Sequence, residues 1–463
     1  MKKGELLKVS QFNYFTTDKD GNLMICNMAK GYKSLSKVLR EDIEKFNEIM
    51  NNKNLVYDDT VQAIVDLCNE GFLVPQSCDE ILIADSMYYD AAMVDKLTLI
   101  VMPTEKCNFR CKYCYESYEK GKMSKADQIS LLKYIQRKIA VHKNLRISWF
   151  GGEPLEAYDV IENLMENIKN MCEKNKVMYT SDMTTNAYSL NPETFDRLYN
   201  FKVYNYQITL DGLKEQHDKQ RILEDGGGTF DRIVENLIYI KNNHAKYKLA
   251  YITIRVNVTR EILNNFEEFI KFYKDNFGND NRFGLAFTPA RDMGGDVVKS
   301  IQDKFIECDE LYDKINELGL YEDPALTFPD VTRVFTPTAA LCYGSQKNSF
   351  VIGSDLKMYK CTVRFDMDEN AIGKIHSNGD AVINDHLHTQ WYMKRIPKEM
   401  CKTCFLLACC HGGGCPYRRN FACDAGKSCV LAVWKKEIKH SMKYLDYRYK
   451  SKMINFSEVV NEN

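Results

Sequence analysis

Three cysteines within eight residues constrain this 463-residue chain more than any other feature. Cys107, Cys111 and Cys114 have three and then two residues between them, so three thiolates can surround one compact metal centre. A structural zinc site needs a fourth ligand, and no other Cys or His lies between Cys78 and His142. Three thiolates on a four-iron cubane would leave one iron free for another ligand. Zinc with a distant fourth ligand is the alternative.

A second concentration of cysteines lies near the other end of the chain. Nine of the 17 cysteines fall between Cys342 and Cys429, whereas inert core cysteines would be scattered. Such density is typical of disulfides or of metal ligation. The first 15 residues lack the apolar core of a secretion signal. We therefore expect a cytoplasmic, reducing location and thiolates that bind zinc or iron-sulfur clusters.

Composition and charge argue against several classes of partner. Hydrophobic residues make up 44% of the chain, with 28 Tyr and 23 Phe, which is typical of a folded protein. The 63 Lys and Arg balance 64 Asp and Glu, so no global field favours nucleic acid or an anionic membrane. The longest apolar runs, such as 97–103, are far shorter than the roughly 20 residues that cross a bilayer. We expect no nucleic-acid or membrane partner.

From residue 97 the chain alternates between strand-like and helix-like stretches. The predicted strands are 97–102, 145–150, 177–184, 204–210, 251–258 and 283–288, and the predicted helices include 125–142, 160–172, 230–242 and 262–277. This rhythm predicts an α/β fold with a parallel sheet, either open or a partial barrel. In barrels the chemistry lies at the carboxyl ends of the strands. The cysteine loop, Gly151-Gly152-Glu153, Asn186 and Asp211 all follow predicted strands, so we expect them at one rim.

The first 75 residues predict a small separate unit. Asp20-Gly21 separates two strand-like runs, as in a β-hairpin. Leu35, Val38, Phe46 and Ile49 fit one helical face, a second helix precedes Gly71, and a strand-like run follows at 72–74. These elements suggest a winged-helix-like α+β module. A packing extension of the main domain is the alternative.

The ordered motifs of residues 97–290 resemble those of the radical S-adenosylmethionine (SAM) superfamily. The resemblance implies a partial (β/α)6 barrel in which Cys107, Cys111 and Cys114 bind a [4Fe-4S] cluster and SAM chelates the open iron. One electron from the cluster then cleaves SAM to methionine and a 5'-deoxyadenosyl radical, which abstracts a hydrogen atom from the substrate. The three cysteines are thus the expected catalytic centre.

The same resemblance implies the residues that contact SAM. Two adjacent glycines let backbone approach closely, and similar GGE motifs contact the methionine ammonium. A hydroxyl near the fourth strand is expected to contact the ribose of SAM, and Tyr113 is expected to lie near its adenine. An Arg guanidinium is expected to bind the SAM carboxylate by a two-point contact. A surface Arg221 paired with Glu224 or Asp225 is the alternative. The expected SAM-binding residues are Tyr113, Gly151, Gly152, Glu153, Asn186, Thr209 and Arg221, although Ala187 replaces the common Gly of Thr-Asn-Gly.

The cysteine-rich end resembles the SPASM extension, which holds two auxiliary [4Fe-4S] clusters. The pattern implies Cys342, Cys361 and Cys415 for the first auxiliary cluster, and Cys401, Cys404, Cys410 and Cys429 for the second. Leu356 stands where the family usually has Gly, and the interval from Cys410 to Cys415 is one residue longer than usual. Cys409, Cys423 or a substrate thiolate are therefore alternative ligands. Without the upstream loop, the cysteines from Cys401 to Cys415 would indicate a zinc ribbon.

These resemblances predict five segments and a function. The segments are a peptide-recognition domain resembling PqqD at 1–75, a connector at 76–96, the radical SAM barrel at 97–320, a SPASM domain at 321–440 and a tail at 441–463. SPASM proteins mostly modify peptides, so we expect an enzyme with three [4Fe-4S] clusters and SAM that joins cysteine sulfur to carbon in a precursor peptide. The expected partners are that peptide, with its leader sequence, and an electron donor such as flavodoxin or ferredoxin.

Two other functions are alternatives. An anaerobic sulfatase-maturating enzyme oxidises Ser or Cys to formylglycine, but that family places an Asp directly after the cysteine that corresponds to Cys361. Here Thr362 follows Cys361, and Asp366 lies further on. The other alternative is a non-catalytic scaffold that binds zinc or iron-sulfur clusters.

Overall fold

The computed structural model describes residues 1–295, 297–329, 331–339, 341–393, 399–421, 431–454 and 456, with backbone alone at 332 and 431–436. The strands are β1 (Leu7–Val9), β2 (Asn13–Thr17), β3 (Leu23–Asn27), β4 (Ser36–Val38), β5 (Leu73–Pro75), β6 (Leu97–Val101), β7 (Phe109–Cys111), β8 (Asn144–Trp149), β9 (Met178–Thr185), β10 (Val203–Thr209), β11 (Arg221–Leu223), β12 (Tyr251–Val258), β13 (Phe283–Pro289), β14 (Ser349–Ile352), β15 (Lys357–Tyr359), β16 (Ala371–Ile375), β17 (Ala381–Ile383) and β18 (Lys452–Met453). The helices are α1 (Ile43–Asn51), α2 (Gln62–Asn69), α3 (Glu80–Ala92), α4 (Lys125–Lys138), α5 (Tyr158–Lys174), α6 (Pro192–Asn200), α7 (Lys214–Gln220), α8 (Phe230–Asn242), α9 (Arg260–Asn264), α10 (Phe266–Phe277), α11 (Cys308–Glu317), α12 (Asp385–Tyr392), α13 (Leu407–Cys410), α14 (Pro416–Asn420) and α15 (Leu431–Tyr449).

The chain divides into two compact units, each built from separate stretches of sequence. The first unit contains Met1–Met93, Asp330–Ser345 and Met393–Asn463, and the second contains Val94–Pro329 and Gln346–Tyr392. The bounds of the two units fall at residues other than the expected segment boundaries in two places. The predicted connector at 76–96 contains α3, whose first turn Asp79 caps by accepting from the Leu82 amide at 3.0 Å. Residues 346–392, expected within the SPASM domain, belong to the second unit.

The second unit is built on a ten-stranded sheet with the order β13-β12-β10-β9-β8-β6-β14-β15-β16-β17. The six strands from β13 to β6 are parallel, and each predicted strand is confirmed to within one residue at either end. Every residue of β6 is buried, and four of its five residues are apolar, as is typical of a strand covered on both faces. The predicted helix at 262–277 is divided into α9 and α10 at Asn265.

Beyond β6, the sheet continues into the segment that carries Cys361. Strand β14 pairs in parallel with β6, and it forms an antiparallel hairpin with β15. Leu356 lies in this hairpin at φ +64°, a left-handed conformation that costs an L-residue roughly 1–2 kcal/mol. Its side chain is buried, and that burial offsets the cost. The departure from Gly is therefore compatible with the expected hairpin.

The first unit contains a four-stranded sheet with the order β18-β4-β3-β2 and a separate pair formed by β1 and β5. The predicted hairpin at Asp20-Gly21 is confirmed by the pairing of β2 with β3. The single helical face predicted from Leu35 to Ile49 is wrong, because residues 36–38 form β4. Pairing of β4 with β3 places Val38 opposite Leu23, and this tertiary contact overrides the helical periodicity.

The segment expected as a tail, 441–463, has a described part at 441–454 that contributes to this sheet. Helix α15 continues to Tyr449, and β18 then pairs in parallel with β4, with Lys452 opposite Ser36. Ile454 and Phe456 are buried in the core of the first unit, where Phe456 contacts Phe46 edge to face at 6.3 Å. In the described part of the chain, no helix has the length and apolar character needed to cross a membrane.

Candidate active site

The cysteine loop follows β6 and is attached to a distant segment by a small two-stranded sheet. The middle of the loop forms β7, which pairs antiparallel with β11, so that Cys111 lies opposite Arg221. The Lys112 amide also donates to the Gln220 carbonyl at 3.0 Å. Backbone pairing therefore holds Arg221 beside the cysteine loop.

One cavity with about 640 Å³ of empty space, solvent at its mouth included, lies at the carboxyl ends of β8, β9 and β10. Ligand sites commonly have volumes of roughly 300–1,000 Å³. The residues expected to bind the cluster and SAM all line it: Cys107, Cys111, Tyr113, Cys114, Gly151, Gly152, Glu153, Asn186, Thr209 and Arg221. The structure thus brings these ten residues together, while their individual roles remain predictions.

The glycine pair allows two loops to approach each other closely. Gly151 has φ +130°, and a Cβ at this position would lie 2.3 Å from the Thr104 carbonyl oxygen. At Gly152, a Cβ would lie 2.4 Å from the Glu105 carbonyl oxygen and 2.5 Å from that of Lys106. Only glycine fits this backbone contact between the loops after β6 and β8.

Glu153 joins the loops that follow β8 and β9. Its side chain is buried, and one carboxylate oxygen accepts from the Thr185 hydroxyl at 2.7 Å and from the Leu155 amide at 3.0 Å. The other oxygen accepts from the Asn186 amide at 2.6 Å. Burial raises the pKa of Glu153 to about 7. Both carboxylate oxygens are thus already engaged by protein donors.

Asn186 connects the loop after β9 to the cysteine loop. Its side-chain amide donates to the Asn108 side-chain oxygen at 2.8 Å. The next residue, Ala187, has φ +62°. This left-handed conformation explains why Gly would suit the position, since Ala adopts it only at a cost.

Arg221 is buried and held by one end of its guanidinium. Its Nη1 donates to the Tyr113 hydroxyl at 2.7 Å, and Tyr113 in turn donates to Asp211. The buried Nε has no hydrogen-bond partner among the described residues. The alternative of a surface Arg221 paired with Glu224 is wrong, because Arg110 forms that ion pair.

The donors in this cavity fit the expected cofactors. Burial raises the pKa of the Cys111 thiol to about 11, so its ionisation requires a compensating positive charge such as iron. The Arg221 guanidinium, whose Nε has no partner among the described residues, is a donor of the kind that binds a carboxylate. Among the described residues, no three His, Cys, Asp or Glu side chains are placed so that they could bind a single metal ion together. A four-iron cluster is larger than an ion and holds its three thiolates further apart.

The structure separates the adjacent cysteines Cys409 and Cys410. The Cys409 thiol donates to the Met28 carbonyl at 3.4 Å within the core of the first unit. Burial raises the pKa of Cys410 to about 11, and the nearby thiols of Cys404 and Cys401 also raise it. Cys410 therefore lies near both cysteines expected to join it in the second auxiliary cluster, whereas of those two only Cys404 acts on Cys409.

The other expected auxiliary ligands lie in both units. Cys342 and Cys415 are in the first unit, where the Cys342 amide donates to the Gly414 carbonyl at 3.1 Å. Cys361 is in the second unit, and Asn370 accepts from its amide at 2.8 Å and donates to its carbonyl at 2.9 Å. Cys423 and Cys429 lie outside the described residues.

The sequence reasoning missed several side chains of the cavity and its wall. Glu116 lines the cavity with one buried carboxylate oxygen that has no partner among the described residues, and burial raises its pKa to about 8. The position of Glu116, two residues after Cys114, is the sequence signal that could have indicated a cavity residue. Asn257 of β12 contacts both Tyr113 and Asp211, at 3.2 Å and 2.7 Å. No local pattern identifies this residue, because the contact depends on how the strands are arranged.

Comparisons with known proteins agree on the central part of the chain. Residues 101–273 match the Radical SAM superfamily. The chain is 25% identical over 352 residues to the cysteine-type anaerobic sulfatase-maturating enzyme of Clostridium novyi (strain NT), covering 70% of this chain and 88% of that protein. It is 26% identical over 198 residues to the radical SAM cyclopropyl synthase TigE of Paramaledivibacter caminithermalis, covering 39% of each.

A solved structure has the same fold. Histidine-tagged anSMEcpe with bound AdoMet aligns with a TM-score of 0.58 and 21% identity, covering 76% of this chain and 98% of that chain. This likeness bears on the fold alone. Together with the family match, it identifies a radical SAM domain in this chain, at residues 101–273 of a mixed α/β fold.

Proposed function

We propose that this protein is a radical SAM enzyme that forms thioether crosslinks in a ribosomally made precursor peptide. The observation that carries the radical SAM part is one cavity lined by three thiols, a glycine pair and Arg221, whose Nε has no hydrogen-bond partner among the described residues. The additional thiols of Cys401, Cys404 and Cys410 support the peptide-modifying part, because they fit an auxiliary cluster.

The cavity residues have distinct proposed roles. Cys107, Cys111 and Cys114 hold a [4Fe-4S] cluster, and Arg221 binds the carboxylate of SAM. Such a cluster would supply the electron for the reductive cleavage of SAM to the 5'-deoxyadenosyl radical. The remaining contacts to SAM come from Tyr113, Gly151, Gly152, Asn186 and Thr209. Glu153, whose oxygens are occupied by protein donors, orients the loops that carry Gly152 and Asn186.

The auxiliary cysteines would hold the clusters that bind the substrate thiolate and accept an electron from the reaction. We assign Cys401, Cys404, Cys410 and Cys429 to one cluster and Cys342, Cys361 and Cys415 to the other, where a substrate thiolate would complete the set of ligands. For each crosslink the peptide loses a carbon-bound hydrogen atom to the radical and a proton from its thiol. An auxiliary cluster held by these cysteines would supply the acceptor for the remaining electron, and a flavodoxin- or ferredoxin-like protein would be its redox partner.

The first unit is the proposed site for the leader of the peptide. Its antiparallel strands β2, β3 and β4 with helices α1 and α2 agree with a winged-helix-like module. Such modules can bind an extended peptide as an added strand at a sheet edge. The match to a PqqD-like domain is a proposal that rests on this order of elements.

Co-expression with a cysteine-rich precursor peptide tests the proposed reaction. We expect the peptide mass to fall by two hydrogens per crosslink, and the crosslinked cysteines to resist alkylation by iodoacetamide. The matched control is the variant in which Cys107, Cys111 and Cys114 are all replaced by alanine, which should leave the peptide unmodified. A peptide of unchanged mass with the unaltered enzyme would contradict the thioether proposal.

Sulfatase maturation is the second candidate, and the alignment with most of the Clostridium novyi relative favours it. Against it, Thr362 follows Cys361 where that family places an Asp. A hydrazide reagent distinguishes the two products, because it labels the aldehyde of formylglycine and does not label a thioether. Metal analysis tests the scaffold alternative, since zinc without iron or sulfide would indicate a non-catalytic protein.

A further inference from the structure

The hydroxyl of Tyr113 lies at the centre of a buried polar network beside the cavity. It accepts hydrogen bonds from Arg221 Nη1 at 2.7 Å and from the Asn257 side-chain amide at 3.2 Å, and it donates to Asp211. All three of its hydrogen-bonding positions are therefore used. Packing against an adenine ring, the role that the sequence suggested, would require only the aromatic ring.

Asp211 holds the other side of this network. It is completely buried, and its Oδ1 accepts from the Asn257 backbone amide at 2.7 Å while Oδ2 accepts from Tyr113. A buried carboxylate is stable only when hydrogen-bonded or paired, and these donors satisfy both oxygens. The contact fixes the position of the Tyr113 hydroxyl relative to β10 and β12.

A second path connects Asp211 to the backbone of Arg221. The Asp211 amide donates to His217 Nδ1 at 3.1 Å, so Nδ1 is the unprotonated ring nitrogen and Nε2 carries the hydrogen. Nε2 then donates to the Thr229 hydroxyl at 3.0 Å, which donates to the Arg221 carbonyl at 2.6 Å. Burial lowers the pKa of His217 to about 3, so the ring is neutral near pH 7. Arg221 is thus held at its backbone and at its guanidinium.

The network leaves one side of the guanidinium without a hydrogen-bond partner among the described residues. Nη1 is occupied by Tyr113, and the cation lies 5.5 Å from the centre of the Phe109 ring. Nε is buried and has no partner in the described part of the chain, although Arg221 lines the cavity. An unpaired buried donor is costly, so this side of the guanidinium fits an acceptor supplied by a ligand. A carboxylate matches its planar geometry.

We propose that Tyr113 and Asp211 are positioning residues that orient Arg221 toward the carboxylate of bound SAM, and that they make the cavity prefer SAM over analogues without that carboxylate. The proposal rests on the proposed function, in which SAM is the ligand. It differs from adenine packing because it assigns the effect to the Tyr113 hydroxyl. A site built to bond a charged group discriminates strongly against a ligand that lacks it, since the buried partner then stays unpaired.

The test uses the full-length protein after anaerobic reconstitution with iron and sulfide. Equilibrium dialysis gives the Kd for SAM and for decarboxylated SAM, which keeps the adenosine and the sulfonium. We expect Tyr113→Phe to weaken SAM binding roughly tenfold or more, the usual range for losing a hydrogen bond to a charged group. Binding of decarboxylated SAM should stay unchanged. Asp211→Asn should shift the preference in the same direction.

Tyr134→Phe is the matched control, because it removes a buried hydroxyl that has no hydrogen-bond partner among the described residues. This variant should keep the SAM preference, and the iron content of each variant shows that the cluster is intact. Equal weakening of both ligands, or full preference retained in Tyr113→Phe and Asp211→Asn, would overturn the proposal. If the unaltered protein binds no SAM, the proposed function itself fails.

Discussion

The two glycines after β8 show how strongly single residues determine the shape of the cavity. Neither position has room for a side chain, because the carbonyl oxygens of residues 104–106 lie where a Cβ would be. The sequence alone indicated only that Gly151 and Gly152 allow close backbone approach. It could not show that the approaching backbone belongs to the protein's own cysteine loop, since that contact joins two loops from different strands.

Gly152→Ala should lower both stability and SAM affinity. The added methyl forces apart the loops after β6 and β8, at a cost of about 1–3 kcal/mol for overpacking, and it displaces the cysteine loop. Urea denaturation and equilibrium dialysis measure the two effects. Gly121→Ala is the control, because nothing lies within 4 Å of a Cβ at that exposed position. Equal behaviour of the two variants would contradict the contact.

The cysteine pair gives a second prediction for single residues. Cys410→Ser should lose the iron of one cluster, because Cys410 shares its surroundings with Cys401 and Cys404. Cys409→Ser should keep all of its iron, since its thiol donates to the Met28 carbonyl. Iron and sulfide analysis with Mössbauer spectroscopy distinguishes the variants. Iron loss in Cys409→Ser and none in Cys410→Ser would reverse the assignment.

At the scale of elements, the structure differs most from the sequence prediction where strands are short. The six parallel strands from β13 to β6 were predictable, because each is long enough to carry a pattern of its own. Strand β6 is buried throughout, and β8, β9 and β12 alternate between buried and more exposed residues. Strands β7, β11 and β18 are only two or three residues long and contain Cys, Arg or Lys. Such strands exist through pairing with distant segments, so local periodicity carries no trace of them. For this reason the sequence pattern does not predict that Arg221 is attached to the cysteine loop.

Strand β18 gives the prediction at this scale. Phe456→Ala should destabilise the first unit by about 3–5 kcal/mol, the usual cost of truncating a buried Phe, because Phe456 packs against Phe46 beside β4. Met453→Ala is the control, since the Met453 side chain is 51% exposed and surface changes usually stay within about 0.5 kcal/mol. Hydrogen exchange of the β4 amides measures the difference. Unchanged protection in Phe456→Ala would show that the segment does not stabilise this sheet.

For the whole molecule, the sequence suggested five consecutive segments, whereas the structure has two units formed from interleaved stretches. Motifs in a sequence are local, so they indicate what each stretch contains without showing which stretches fold together. Residues 346–392 were expected in a separate domain and instead extend the main sheet through β14. The ten residues expected for the cluster and SAM do meet in one cavity, because the carboxyl ends of parallel strands lie at the same edge of the sheet.

Cleavage of SAM is the decisive reaction to measure. After anaerobic reconstitution and reduction with dithionite, liquid chromatography with mass spectrometry quantifies 5'-deoxyadenosine formed by the unaltered protein and by the variant with Cys107, Cys111 and Cys114 replaced by alanine. We expect the unaltered protein to produce 5'-deoxyadenosine and the variant to produce none, while the variant keeps the iron of its auxiliary clusters. Full turnover in the triple-alanine variant would contradict the assignment of these cysteines as the catalytic centre.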